Sequence, residues 1–304
     1  MGKARFHLLA FVVVAIWGMT FVSTKMLLAA GLLPAQIFLL RFIVAYLGIW
    51  LLCISGSPES ARIFSGSVRD ELLMVLLGVS GGSAYFLTEN TALACTQACN
   101  VSFIVCSAPL LTALLSIAVK KCLKGELADG VEDVKGRWPL LVGTLLALCG
   151  MAAVIFDGNS LEISARGDLL AFAAALCWGL YSTFMGQMTR KYGALFSTRK
   201  VFFYGLLTII PFVVGRPLDF SVFARPQVWM NLLFLSVLAS LACFVLWNKV
   251  IAGLGNITAT NYVYLNPFFT LLAAVLFLGE SLTLQSAIGC AAIVLGVIIG
   301  GIKK

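Results

Sequence analysis

Stretches of about twenty apolar residues, separated by short polar or glycine-bearing breaks, recur along the whole chain. A bilayer's hydrocarbon core is about 30 Å thick, so each stretch has the length of one helical crossing. The pattern predicts ten helices, at 6–28, 34–54, 71–94, 98–119, 138–156, 168–189, 196–215, 228–252, 257–279 and 284–302. The faintest boundaries are 94/98 and 252/257, where only a few polar or glycine residues interrupt. The longest polar stretch, 120–137, reads as a charged loop, and no other segment is long enough to form a separate soluble domain. The first apolar run extends for more than 20 residues without a suitably placed small-x-small site, so it reads as a retained helix and not a cleaved signal. The fold class is therefore all-α and membrane-embedded.

The chain echoes itself. LLAFVVVAIWG, from Leu8 to Gly18, returns as LLAFAAALCWG, from Leu169 to Gly179, 161 positions later. Arg41 and Arg199, Tyr46 and Tyr204, Asn90 and Asn248, and Pro109 and Pro267 all pair at an offset of 158. Gly143 and Gly150 match Gly289 and Gly296 at 146, the shift falling across the charged loop. Any single match is ordinary in so apolar a chain, but an ordered series is not. Each unit, 1–157 and 158–304, holds five of the expected helices. An odd number sends the second unit into the membrane from the opposite side, which makes the two inverted repeats. In secondary transporters such repeats frame a site near the bilayer midplane.

Composition agrees: mean hydropathy is +1.03, and only 11% of residues are charged. The net charge of +8 is mostly a matter of topology. Thirteen lysines and arginines fall in the segments on one side of the expected helices and three on the other, which places both termini in the cytoplasm. Nucleic acid is not an expected partner. Nine cysteines are scattered without a CxxC pair, and Cys95 with Cys99 is the one place where a disulfide fits the expected topology.

The Trp17-Gly18 and Trp178-Gly179 pairs, Arg41 early in helix two, Pro109 and Pro267 in mid-helix, and the ending Leu278-Gly279-Glu280 together resemble the EamA family. That family belongs to the drug/metabolite transporter superfamily. Gly125-Glu126 is a displaced counterpart of the ending, and the resemblance covers nearly the whole chain. It implies ten helices in two inverted halves and the export of amino acids or other small metabolites. The chain departs from the family at position 108 and its repeat-mate, where Ala108 and Asn266 stand in place of the family's frequent glutamate.

The candidate substrate contacts are Trp17, Asn90, Phe103, Trp178, Tyr181, Asn248, Tyr262 and Asn266. The two tryptophans lie mid-helix, away from the headgroup belt; they either line a cavity or fill space beside their glycines. Pro109 and Pro267 free the carbonyls of Val105 and Val263, and such breaks are tolerated where they line a cavity. Tyr262 and Asn266 are one helical turn apart and so would share a face. Lys25, Arg41 and Glu89 fall in the external third of the first three helices. Glu89 has two readings: an ion-pair partner for either base, or a protonatable coupling group, since burial disfavours an unpaired carboxylate. Arg199, Lys200 and Lys249 lie in the opposite third with no acidic residue at their depth, and read as structural or as a basic vestibule. Gly78, Gly81 and Gly82 read as close-packing or hinge positions, and Gly296-x-x-x-Gly300 as close packing or the face of a homodimer.

An enzyme is not expected, because the sole histidine, His7, stands at a helix entrance and neither HExxH nor a phosphate loop occurs. No cofactor or metal is expected either. The reading is a carrier in the inner membrane, most readily an amino-acid exporter, with a passive channel or a carrier of organic anions or drugs as alternatives.

Overall fold

The computed structural model describes residues 3–56, 58–122, 124–134, 138–155, 164–278 and 284–300. Among them all regular structure is helical. Helix α1 (Lys3–Ala29) leads into α2 (Pro34–Ile54), where proline opens the first turn and the Gln36 side chain accepts from the Leu33 N–H at 3.0 Å. Ser67 caps α3 (Val68–Cys95), accepting from the Asp70 N–H at 3.1 Å. After α4 (Ala98–Cys122) come one helical turn at Glu126–Asp129 and then α5 (Trp138–Ile155). Two long helices follow, α6 (Ala165–Tyr192) and α7 (Ala194–Val213), joined through Gly193 at a φ of +81°, a conformation open to glycine. Gly255, at +90°, makes the same one-residue turn between α8 (Pro226–Leu254) and α9 at 256–278. α10 is Leu284–Gly300.

Seven of these helices, α1 to α4 and α6 to α8, are long and apolar enough to cross a membrane. Large apolar side chains such as Leu47, Leu51, Leu145 and Leu207 project outward, as lipid-facing positions do. Lipid is as apolar as leucine, so helix association here depends on close packing more than on hydrophobic burial. The glycines supply it. A Cβ on Gly143 would strike the backbone of Gly296 and Gly300, and one on Gly296 would lie 2.7 Å from the Ala147 nitrogen. Gly150 sits equally tightly on Gly289 and Ile293. The Gly296-x-x-x-Gly300 face is thus occupied within the chain by α5 and Asn261, and is not open to a second copy. Gly78 packs on α7 at Tyr204, and Gly81 on the Tyr181 ring.

Matching positions also meet in matching ways. Gly18 of α1 abuts Phe269 and Thr270 of α9, while Gly179 of α6 abuts Leu111 and Thr112 of α4, the positions 158 residues earlier. α3 and α8 each carry a π-helical stretch, Val79–Ser83 and Phe234–Ala242, at the same offset. Proline interrupts α4 and α9 alike. Cys106 and Ser107 leave the helix just before Pro109, and a 3₁₀ stretch at Tyr262–Leu265 precedes Pro267. The two interruptions touch, the Cys106 thiol donating to the Val263 carbonyl at 3.1 Å.

Candidate functional site

Where the two broken helices meet, α1, α2, α3, α6 and α8 converge on a narrow cavity. Its freely open part holds about one water, so a larger guest requires the helices to part. Val105 and Val263, whose carbonyls the prolines release, lie on its wall, with Asn266 beside them. The opposite wall is aromatic. Trp17 and Trp178 meet edge to face at 5.2 Å between ring centroids, with Phe244 packed against both at 5.7 and 6.0 Å. The Trp17 indole N–H donates to the Ala239 carbonyl at 2.9 Å, in the π-helical stretch of α8. The Trp178 N–H and the Asn266 Oδ1 are buried without a hydrogen-bond partner among the described residues. A buried donor or acceptor left unpaired is costly, which makes both atoms suited to a guest or a water.

Two opposite charges border this space. Arg41 is 2% exposed and Glu89 5%. The Arg41 Nε–H donates to Ser240 Oγ, and the guanidinium lies 4.5 Å above the Phe86 ring, a cation–π contact. Its terminal nitrogens make no hydrogen bond among the described residues. Glu89 Oε1 accepts from the Tyr85 hydroxyl at 2.6 Å, and Oε2 has no partner among the described residues. No ion pair joins Glu89 to Arg41 or to Lys25, whose ammonium donates to the Thr96 carbonyl at 2.9 Å. Glu89 and Arg41 thus attract each other through space without a bonded contact, and the carboxylate is held by a tyrosine and open on one side. Tyr85, Phe86 and Ser240 were not anticipated. Tyr85 and Glu89 are one helical turn apart, which was the available signal for the first.

The sequence profile of the EamA-like transporter family matches residues 5–122 and 165–300. The chain belongs to that family. It is a multi-pass membrane protein of the drug/metabolite transporter superfamily. Over 99% of both chains it is 26% identical to an uncharacterized transporter of Archaeoglobus fulgidus. It is 27% identical to a probable amino-acid metabolite efflux pump of Escherichia coli K12, covering 96% of this chain and 93% of that one. It is 24% identical to a probable terminal-alkyne amino-acid exporter of Streptantibioticus cattleyicolor, covering 75% and 72%. A protein of known crystal structure shares the fold with a TM-score of 0.71 at 17% identity, covering 98% of this chain and 96% of that one.

Several candidate residues of this EamA transporter lie elsewhere than on the cavity. Asn90 donates to the Pro34 carbonyl at 3.1 Å and ties α3 to the start of α2. Asn248 bridges the Tyr181 hydroxyl and Thr198 Oγ1, both at 2.7 Å, and Tyr181 backs Trp178 at 5.1 Å. These residues brace the wall from behind. Phe103 is half-buried and packs against the core without bordering the cavity. Tyr262 meets His7 at 2.7 Å instead of sharing a face with Asn266, because the 3₁₀ stretch has three residues per turn and positions four apart no longer align.

The other basic residues are also placed differently from the expectation. Lys200 pairs with Glu71, which Tyr204 and Ser65 also hold, so an acidic residue does stand at its depth. Arg199 donates to the carbonyls of Ala61 and Arg62 and stacks 4.2 Å over Trp50. These two bases anchor the α2–α3 connection and form no open vestibule, while Lys249 is exposed. No disulfide forms between Cys95 and Cys99. Gly279 and Glu280 of the family ending, and the 157/158 junction, lie outside the described residues.

Proposed function

We propose that this protein is a secondary carrier that exports small polar metabolites, amino acids foremost, by alternating access to the cavity between Trp17 and Trp178. The observation that carries this reading is a cavity set where two proline-broken helices meet, bordered by two opposite charges not bonded to each other and an aromatic wall. In this reading all of α1 to α10 cross the membrane, as inverted halves 1–157 and 158–304. Three features support it: the reciprocal seating of Gly18 and Gly179, the paired π-helical stretches, and the meeting of Trp17 with its repeat-mate Trp178 and of α5 with its counterpart α10. Elements related by a two-fold axis meet their own counterparts where that axis passes. Both termini then face the cytoplasm of an inner membrane, on the side rich in lysine and arginine. The relatives named as amino-acid exporter and efflux pump support the substrate class and direction. A cavity too narrow for a guest without helix movement favours a carrier over a standing channel.

Proteoliposomes loaded with a mixed pool of amino acids and common metabolites test the reading by mass spectrometry. Selective loss of a few amino acids, relative to protein-free liposomes, is the expected result. Loss confined to other solutes would reject the amino-acid assignment, and uniform loss of the whole pool would reject a carrier.

A further inference from the structure

Arg41 and Glu89 have a feature that the fold by itself does not require. The same offset that pairs Arg41 with Arg199 places Trp247 opposite Glu89. The second arginine has no glutamate at the matching position of its half; backbone carbonyls and the Trp50 face hold it instead, and its Nε has no partner among the described residues. A buried arginine in this architecture is thus stable without a glutamate beside it. Glu89 makes the cavity asymmetric, with one cation and one anion facing the same space and not bonded to each other.

We propose that the cavity recognises a zwitterion, an α-amino acid with a neutral and apolar side chain, whose carboxylate is taken by Arg41 and whose ammonium is taken by Glu89. This rests on the reading that the cavity carries the substrate. The argument is one of charge balance at low dielectric. Arg41 and Glu89 attract each other only at a distance; a guest of net charge directly opposes one of them, and an uncharged guest leaves both without a hydrogen-bonded counter-ion. A molecule with one positive and one negative end satisfies both. The guanidinium keeps its terminal N–H groups for a bidentate carboxylate, the geometry at which arginine excels. The free Oε2 of Glu89 receives an ammonium, with the Trp178 and Tyr85 rings, 5.1 Å apart, close enough to add cation–π attraction. Among the described residues no third charged side chain borders the cavity. The remaining walls, Trp17, Phe244, Val105 and Val263, therefore suit a side chain that is itself apolar.

The test uses purified full-length protein in detergent and three probes: L-leucine, its amide, which lacks the carboxylate, and N-acetyl-L-leucine, which lacks the ammonium. L-phenylalanine with its amide and N-acetyl forms makes a parallel series. Quenching of tryptophan fluorescence reads binding, since Trp17 and Trp178 line the cavity. Each blocked probe should bind at least tenfold more weakly than the free amino acid, about the effect of one charge-assisted hydrogen bond. In Glu89→Gln the amino acid should fall to the level of its N-acetyl form, whose own binding stays within about twofold. In Arg41→Gln it should fall to the level of the amide. The wild-type series decides the matter even if a variant fails to fold. Equal binding of blocked and free forms overturns the clamp and leaves the transport reading standing. So does mixed-pool efflux confined to solutes that are not zwitterions. Absence of selective efflux of any solute overturns both.

Discussion

Gly143→Leu is expected to prevent the protein from reaching its native fold. Most core enlargements are absorbed by the far end of a flexible side chain, which turns aside. Here the space that a side chain would enter is filled by the backbone of Gly296 and Gly300, and backbone cannot rotate away. The only relief is separation of α5 from α10 along the ridge where Gly150, Gly289 and Ile293 also touch. Overpacking generally costs about 1–3 kcal/mol, and this site should exceed that range. In a bilayer no hydrophobic gain between helices offsets the loss, since contact distance is what holds them together. Size-exclusion chromatography after detergent extraction checks this. Aggregated or degraded protein is the expected outcome, with Gly143→Ala affected in the same direction but less. A monodisperse leucine variant with wild-type thermal stability would show that α5 and α10 do not pack as described.

Trp17→Ala should remove transport while leaving a protein that still inserts. The indole touches Trp178, Trp247 and Phe244 at centroid distances of 5.2, 5.0 and 5.7 Å, so its loss opens the aromatic wall from within. It also strips the Ala239 carbonyl of its donor in the π-helical part of α8. Truncating a packed aromatic costs about 3–5 kcal/mol, enough to lower the unfolding temperature measurably. Trp17→Phe keeps the ring contacts and loses only the N–H bond, worth about 0.5–1.5 kcal/mol. Flux should fall at least tenfold in the alanine variant, since losing about 1.4 kcal/mol of contact at the translocation step slows it by one decade. The phenylalanine variant should fall in between. Wild-type flux in Trp17→Ala would remove the cavity from the substrate's path.

The helices were nearly all legible in the sequence, because their ends are written in local chemistry. The expected 34–54 matches Pro34–Ile54, where proline opens the helix. The expected 71–94 begins early, at Val68, because Ser67 caps it and Arg69 and Asp70 are helical despite their charge. Glu71 stood at the start of the expected helix, but its position in the sequence did not show that α7 brings Lys200 to it. At the site, Trp17, Trp178, Arg41, Glu89 and Asn266 were singled out and do meet at one cavity, whereas Asn90, Asn248 and Tyr262 do other work. The difference has a physical origin. Sequence position fixes how deep a side chain lies along a helix axis but not which neighbour that helix turns it toward. Asn90 and Asn248 recur at the repeat offset, yet one bonds the Pro34 backbone and the other a tyrosine and a threonine. For the two tryptophans, cavity lining and core packing proved not to be alternatives, since each ring does both. The 3₁₀ stretch before Pro267 had no clear sequence signature, and it alone turned Tyr262 away.

Entrance counterflow is the most direct measurement of the central claim, that this cavity serves a carrier for amino acids. Proteoliposomes are loaded with a high concentration of an unlabelled amino acid found to leave in the mixed-pool experiment. They are then diluted into a trace of the labelled form. A carrier that exposes one site alternately to each side predicts a transient overshoot of label inside, above its final level, that is lost in Trp17→Ala. A monotonic rise to equilibrium without overshoot, or an overshoot unchanged in that variant, would contradict the account.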